Sequence, residues 1–509
     1  MVPFFERDLR GHNMVRRTDK AALLPVALDR DSEKPMHRQL YDQLRDMILT
    51  GRLTAGERLP STRTLAQDLG VSRNTVASAF DQLLAEGYLE GRVGAGSYVT
   101  TELPESSWPA ANDPGAGANP RTRGLSKRGE RLASLRHLRK GNRHPAFTAG
   151  MPDLKEFPFD IWARLMSRAW RNPPMDILAN TEPAGYRPLR EAIAGYVRTS
   201  RAVRCHADQV IIVSGAQQAI GLAAHVLLDD GDPVLVEEPG YPGVRGVLLA
   251  AGAELIPVPV DDEGFDVEAG ERMAADARLA CVAPSHEYPL GVTMSLSRRL
   301  KLLDWASRCD SWVIEDDYDS EFRYSGRPLA ALQGLDRDGR VVYVGSFSKV
   351  MFPSLRLGYL IVPEDLIDPF RQARAALDDH PSTTGQPALA QFIEEGYFAA
   401  HLRRMKKLYG ARQEALLAAG QKYLAGDLDL KATETGMHLP AFFKPALSAR
   451  MSDVEASSRA RARGITVSAM SEYSSTGPGR QGLLLGFAAV PEHQIEASVR
   501  KLAEALAGD

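Results

Sequence analysis

Between Pro35 and Ile48 apolar residues recur at helical spacing, with Leu40, Leu44, Met47 and Ile48 on one face and Gly51 closing the run. An amphipathic helix is predicted there. The next segment, Leu59-Pro60-Ser61-Thr62-Arg63-Thr64-Leu65-Ala66-Gln67-Asp68-Leu69-Gly70, places a hydroxyl cap before a short helix and a glycine after it. Val71-Ser72-Arg73-Asn74-Thr75-Val76 opens another helix. Its apolar side holds Val76, Phe80, Leu83 and Leu84, which leaves Arg73, Asn74 and Thr75 in the first turn, where a recognition helix meets base edges. After Gly87, alternation from Tyr88 to Val99 predicts a hairpin with glycines at its tip. Together these elements predict a winged helix-turn-helix, mainly α with a β wing.

The periodicity then lapses. Pro104, Pro109, Pro114, Gly115, Gly117, Pro120 and Gly124, followed by a basic stretch from Arg121 to Arg143, have linker composition. A flexible coil of ~40 residues has an end-to-end distance of roughly 35 Å. The basic half reads either as a solvated charge run or as a contact for DNA phosphates.

From there onward apolar strands alternate with amphipathic helices. Candidate strands are Val210–Val213, Val234–Val236, Glu254–Val258, Leu279–Ala283, Trp312–Glu315, Val341–Val344 and Leu357–Ile361. Most are separated by stretches long enough for crossover helices, so a largely parallel α/β sheet with functional groups near the strand ends is predicted. After Phe370 the strand rhythm weakens, and helical stretches such as Gly396–Ala419 precede a mixed tail. A smaller C-terminal α+β subdomain is expected. The predicted divisions are 24–100 for the winged module, 101–145 for the linker and 146–509 for the α/β part, with subdomains at about 181–370 and 371–509.

Composition narrows the class without naming a function. The chain has 509 residues, 44% hydrophobic and 25% charged, with a formal net charge of −3, which excludes wholesale disorder and a globally basic coat. No apolar run reaches the ~18 residues of a membrane span, and the start of the chain, Met1 to Asp8, lacks the order of a signal peptide. A cytoplasmic protein is expected. The three cysteines, Cys205, Cys281 and Cys309, form no C-x-x-C, and the eleven histidines form no H-E-x-x-H, so no metal site is predicted.

Several chemical groups fall at strand ends. Val341 to Lys349 delivers one lysine on a small, hydroxyl-rich turn, with Arg356 seven residues later, and a lysine in an α/β cleft can form an imine. Trp312 to Tyr318 drives a strand into carboxylates and a phenol, and a buried carboxylate there suits a cationic ring nitrogen. Ile211 to Ala219 passes from strand through Gly215 into a helix, whose free N–H groups suit a phosphate. Aldehyde, ring nitrogen, phenolic oxygen and phosphate together describe pyridoxal 5′-phosphate. Competing motifs fail: Ser346-Phe347-Ser348-Lys349 fits S-x-x-K, but neither S-D-N nor K-T-G occurs, and there is no P-loop signature. His286, in Ser285-His286-Glu287-Tyr288-Pro289, reads either as a loop histidine or as a cofactor contact and is left out of the predicted site.

The motifs L-P-S-T-R-T-L-A, G-V-S-R-N-T-V and E-G-Y-L-E-G-R-V-G-A-G-S-Y-V resemble the winged helix of the GntR family. That resemblance implies DNA contacts from Arg63, Arg73, Thr75 and Arg92, with Gly94 and Gly96 letting the wing approach the duplex. S-F-S-K-V-M-F-P-S-L-R-L-G-Y, I-E-D-D-Y-D-S-E-F-R-Y, E-E-P-G-Y-P-G, P-S-H-E-Y-P-L-G-V-T-M and G-Y-R-P-L-R-E-A-I-A resemble fold-type-I aminotransferases, and the combination resembles the MocR subgroup of GntR regulators. The resemblance implies an internal aldimine at Lys349, a pyridinium partner in Asp316, a bond from Tyr318 to the ring hydroxyl and stacking by Tyr241. It also implies a phosphate held by Gly215, Ala216, Gln217, Ser346, Ser348 and Arg356. The implied protein is a cytoplasmic, head-to-tail homodimer that binds two half-sites or direct repeats on duplex DNA. It would sense an amine or amino acid, or pyridoxal phosphate itself.

The alternative reading is a working aminotransferase carrying a DNA-binding module. Departures from the enzyme pattern favour the regulator, with at most weak transaminase activity. Tyr288-Pro289-Leu290-Gly291 stands where aminotransferases use N-P-x-G, and Leu484-Leu485-Gly486-Phe487-Ala488 stands where they use R-L-S-F-A. Separately, Gly243, two residues after Tyr241, offers no side chain to clamp a carboxylate, which counts against a γ-aminobutyrate-type effector site.

Overall fold

The computed structural model describes residues 24–92, 96–102, 124–134, 146–179, 182–326, 329–477 and 479–507. Gly94 and the linker positions 103–123 and 135–145 lie outside the described residues. The chain divides into two compact units, Met1–Arg123 and Gly124–Asp509.

In the first unit, α1 (Met36–Leu49), α2 (Thr62–Leu69) and α3 (Arg73–Ala85) precede a hairpin of β1 (Leu89–Arg92) and β2 (Gly96–Val99). Two serines start the tandem helices. Ser61 Oγ accepts from the Thr64 N–H and Ser72 Oγ from the Thr75 N–H, both at 3.1 Å, and each such cap contributes about 1 kcal/mol. Gly70, at φ +62°, is left-handed and ends α2, so α3 departs in a new direction. Leu40 and Leu44 of α1 meet Val76, Phe80 and Leu83 of α3 in the core, while Leu84 packs at its edge. The wing pairs Leu89 with Val99 and Arg92 with Gly96.

The second unit is built on an eight-stranded sheet made of β3 (Val210–Val213), β4 (Pro233–Glu238), β5 (Glu254–Asp261), β6 (Gly264–Phe265), β7 (Leu279–Val282), β8 (Trp312–Asp317), β9 (Val341–Ser346) and β10 (Gly358–Ile361). Their order is β3-β10-β9-β8-β7-β4-β5-β6. The run from β5 through β4, β7 and β8 to β9 is parallel. The sheet is largely parallel, as expected, and mixed in detail: β10 runs antiparallel to both β3 and β9, and the two-residue β6 runs antiparallel to β5. For β10 the physical reason lies in the short link from Ser346 to Gly358. It holds a turn and one 3-10 segment, Pro353–Leu355, where a parallel crossover needs a helix. Alternating residues serve opposite faces of the sheet. Ile211, Val213, Ile314, Val342 and Val344 pack under the helices Ala216–Leu227 and Pro242–Ala251, whereas Ala280, Val282, Val313 and Val341 pack with Leu302 and Trp305 of Leu296–Arg308.

The remainder forms a four-stranded antiparallel sheet of β11 (Leu428–Leu430), β12 (His438–Phe443), β13 (Ser468–Ala469) and β14 (Gly482–Gly486), ordered β11-β12-β14-β13. The helices Tyr397–Tyr423, Asp453–Ala462 and Glu492–Ala507 accompany it. The first of these covers the predicted Gly396–Ala419 stretch, with Gly396 as its cap. Among the described residues, no helix is long and apolar enough to cross a membrane.

Candidate functional site

Strands β4, β7, β8 and β9 end at one edge of the large sheet, and β3, antiparallel to β10, ends there too. That edge collects the chemistry. Beyond β9 the buried Phe347 anchors the turn, and the Lys349 Nζ donates to the Gly150 carbonyl at 2.8 Å. On β8, side-chain alternation separates two kinds of carboxylate. Asp317 accepts from the Arg201 Nε at 2.8 Å and the Tyr343 hydroxyl at 2.7 Å, and Glu315 accepts the backbone N–H groups of Leu332 and Gln333. Asp316 is buried between them in sequence, yet its Oδ1 has no hydrogen-bond partner among the described residues. Burial pushes Asp316 up to about 7, Asp317 adds to the rise and Lys349 opposes it.

A second group surrounds the start of the helix Ala216–Leu227. Gly215 caps it at φ +137°, and a Cβ added there would lie 3.6 Å from the Arg356 Nη1, so the guanidinium lies beside the helix N-terminus. Gly358 packs so closely that its Cβ would fall 2.9 Å from the Gly215 Cα. Ser346 Oγ accepts from the Ser348 N–H at 3.2 Å. Ala216, Ser346 and Ser348 are half-buried, and Gln217 and Arg356 are exposed. First-turn N–H groups, two hydroxyls and a guanidinium make an anion cradle.

The opposite wall is aromatic. Tyr241 caps the helix Pro242–Ala251 and meets Tyr288 edge-on at 5.7 Å. Its ring lies over Gly243, where a Cβ would come within 2.4 Å of Tyr241 Cε1. Tyr288 and Tyr473 share a hydrogen bond of 3.1 Å between their hydroxyls. Leu484 is fully buried beside Met470 and Tyr473. Arg480 lies over the Phe442 ring, 3.7 Å from its centroid, with Asp429 at 3.8 Å.

Three buried residues that were not among the predicted site residues join this cleft. His286 Nδ1 is 3.0 and 3.1 Å from the two Asp319 oxygens and 2.9 Å from the Tyr318 hydroxyl, and the His438 ring stands 4.8 Å from that of His286. Only His286 carried a sequence signal, its place at a strand end. Asp319 and His438 become neighbours through the fold. Burial pushes the Tyr318 phenol well up, with Asp319 adding to it, and burial pushes His438 well down, aided by His286 and Lys349.

In the first unit, Arg63 and Arg73 are exposed and Thr75 is half-buried, its hydroxyl 2.9 Å from that of Ser72. Arg92 pairs with Glu90 at 2.7 Å and lies over Tyr98. Gly96 is at φ +107°.

Residues 166–502 match the family "Aminotransferase class I and II", and residues 36–99 match "Bacterial regulatory proteins, gntR family". The chain is similar to the "Probable rhizopine catabolism regulatory protein MocR" of Rhizobium meliloti, 44% identical over 480 residues, covering 94% of this chain and 95% of that one. It is also similar to the "HTH-type pyridoxine biosynthesis transcriptional regulator PdxR" of Corynebacterium glutamicum, 30% identical over 95% of this chain and 98% of the relative. Among solved structures, the kynurenine aminotransferase of Pyrococcus horikoshii in complex with PMP matches at a TM-score of 0.66 and 26% identity, over 76% of this chain and 95% of the other.

Proposed function

This chain belongs to the MocR-type regulators of the gntR family, and we propose that its aminotransferase-like cleft senses an amine or amino acid, or the cofactor itself, through Lys349. The protein is a transcriptional regulator with a DNA-binding module, and the cofactor of its second domain is pyridoxal 5′-phosphate. The cleft suits that group. Asp316 Oδ1 is a buried acceptor in need of a donor, which a cationic ring N–H supplies, and the Gly215–Arg356 cradle suits a phosphate. When bound, the cofactor supplies an electrophilic carbon to which amines add.

The chain's own residues do the rest. Lys349 brings an amine to the cleft, and the Gly150 carbonyl orients it. Asp316 would hold a proton, at its own carboxyl or shared with the cofactor's ring nitrogen when that group is bound. Tyr318, kept protonated by burial, donates from its hydroxyl, and Tyr241 closes the aromatic side. Gly215, Ala216, Gln217, Ser346, Ser348 and Arg356 hold the anion. In the first unit, Arg63, Arg73, Thr75 and Arg92 meet the DNA, with Gly96 at the wing. The regulator reading is supported over the working-enzyme reading by Leu484, buried among Met470 and Tyr473, and by Arg480, engaged with Phe442. A carboxylate clamp that positions substrate contributes strongly to rate.

We read the protein as a cytoplasmic homodimer, head-to-tail, placing two winged helices on two half-sites or direct repeats. The exposed apolar residues Phe159, Trp170, Met175 and Leu178 support a second copy as partner. The observation that carries the functional reading is the buried Asp316 carboxyl, whose Oδ1 has no hydrogen-bond partner among the described residues, at the sheet edge that also carries Lys349. The experiment is the visible spectrum of the protein with pyridoxal phosphate, beside Lys349→Ala, with candidate amines then added and DNA binding followed in parallel. A Lys349-dependent band that shifts with an amine, together with altered DNA binding, is expected. Steady turnover of amino acid and keto acid without any effect on DNA would overturn the sensing reading.

A further inference from the structure

The phenol of Tyr318 does not stand alone, because its oxygen is 2.9 Å from His286 Nδ1, and both Asp319 oxygens reach the same nitrogen at 3.0 and 3.1 Å. A carboxylate can only accept, so Nδ1 carries the hydrogen, a tautomer that follows from its partners. The Tyr318 oxygen is then an acceptor toward His286, and its own hydrogen must point elsewhere. All three side chains are held in place. His286 and Asp319 are almost fully buried, and a Cβ on Gly436 would fall 1.9 Å from His286 Cε1, so the imidazole fills the space that this glycine leaves.

We propose that the Asp319–His286 pair is a positioning device that fixes the direction of the Tyr318 hydroxyl hydrogen, aiming it into the cleft at the cofactor's ring oxygen. The proposal rests on the reading of the cleft as a pyridoxal phosphate site. It assigns His286 and Asp319 a role through Tyr318, without contact to the reacting atoms. The charged and titratable groups around the trio are His438 on β12, Glu287 and Tyr288 beside His286, Asp316 on β8, Tyr324, whose phenol feels Asp319, and Lys349, which acts on His438. A donor aimed at the ring oxygen stabilises its anionic form, and so favours loss of the proton that the oxygen shares with the lysine nitrogen. Without that aim, the proton is held to higher pH.

The test is a pH titration of the visible band of the full-length protein loaded with pyridoxal phosphate, for wild type, Tyr318→Phe, Asp319→Asn, His286→Phe and His286→Gln. Tyr318→Phe should raise the midpoint by about one unit, on the order of the cost of one lost charge-assisted bond. Asp319→Asn and His286→Phe should raise it nearly as far, and neither should add to Tyr318→Phe in a double variant. His286→Gln, whose amide can still donate to both oxygens, should restore most of the wild-type midpoint. Asp319→Asn is the same size as the residue it replaces, so it guards against mere unfolding. Midpoints equal to wild type in both Asp319→Asn and His286→Phe, with Tyr318→Phe displaced, would overturn the positioning role and leave the cofactor reading intact. A wild-type protein without any Lys349-dependent band would overturn both.

Discussion

Gly150 closes directly over Lys349: its carbonyl accepts from the lysine Nζ at 2.8 Å, and a Cβ built on it would sit 2.6 Å from that same nitrogen. Gly150 is also at φ +67°, where a side chain is strained. Gly150→Ala therefore pushes on the amine and costs on the order of 1 kcal/mol or more of stability. The expected result is slower appearance and a smaller amplitude of the Lys349-dependent band on adding pyridoxal phosphate, with DNA binding by the winged module retained. Loading at the wild-type rate and amplitude would show that the lysine moves away freely.

Charge in the cofactor-free cleft should appear as a pH dependence of stability. Burial raises Asp316 from 3.8 to about 7 and Glu237 from 4.5 to about 8, with Asp316 adding to the latter. Each carboxyl keeps in the fold a proton that the unfolded chain has already released. This contribution is complete below the unfolded values near 4 and is lost as pH rises through about 7 and about 8. The melting temperature of the cofactor-free protein should fall between about pH 5 and pH 8. Asp316→Asn should flatten the slope, as should added pyridoxal phosphate. An identical slope in Asp316→Asn would remove Asp316 from the account.

Arg356 should distinguish phosphate from its absence. Its guanidinium lies against Gly215 at the start of the helix Ala216–Leu227. A charge-assisted contact is worth about 1.5–3 kcal/mol, so Arg356→Ala should weaken pyridoxal phosphate binding by roughly tenfold to a hundredfold. Pyridoxal, which has no phosphate, should lose little. Equal losses for both compounds, measured by spectral titration, would place Arg356 outside the anion cradle.

On DNA, exposed arginines should act through salt. Arg73 stands exposed in the first turn of α3, and Arg92 is paired with Glu90 on the wing. If each neutralises one phosphate, Arg73→Ala or Arg92→Ala reduces the slope of log affinity against log salt by about one. A loss confined to one operator sequence, with the slope unchanged, would instead mark a base contact. Ser72→Ala tests the scaffold, since it removes the cap of α3 and should cost about 1 kcal/mol in thermal unfolding of the module.

Much of this molecule is legible in its sequence. The strands β3, β7, β8 and β9 coincide with apolar runs, because strands buried on both faces leave little ambiguity. The hydroxyl cap before α2, supplied by Ser61, and the stop at Gly70 were equally plain, being local chemistry. Two features were not legible. The reversed direction of β10 depends on how an eleven-residue link between Ser346 and Gly358 folds, and β6, two residues long, has no pattern to show. Within the site, the strand-end groups were visible one motif at a time. The contact of His286 with Asp319 and His438 was not, since it joins residues 33 and 152 positions apart, and only tertiary packing creates it.

The antiparallel return of β10 also has a consequence for inheritance. Lys349 and Arg356, at opposite ends of the proposed ligand, are carried by the one short link between β9 and β10. That link is pinned where Gly358 touches Gly215. A residue inserted or deleted there would displace the amine and the guanidinium together, so no second change elsewhere could repair one without the other. Any change in the length of this stretch therefore acts on both groups as one inherited change, whereas a substitution at Ser348, Lys349 or Arg356 alters one contact at a time.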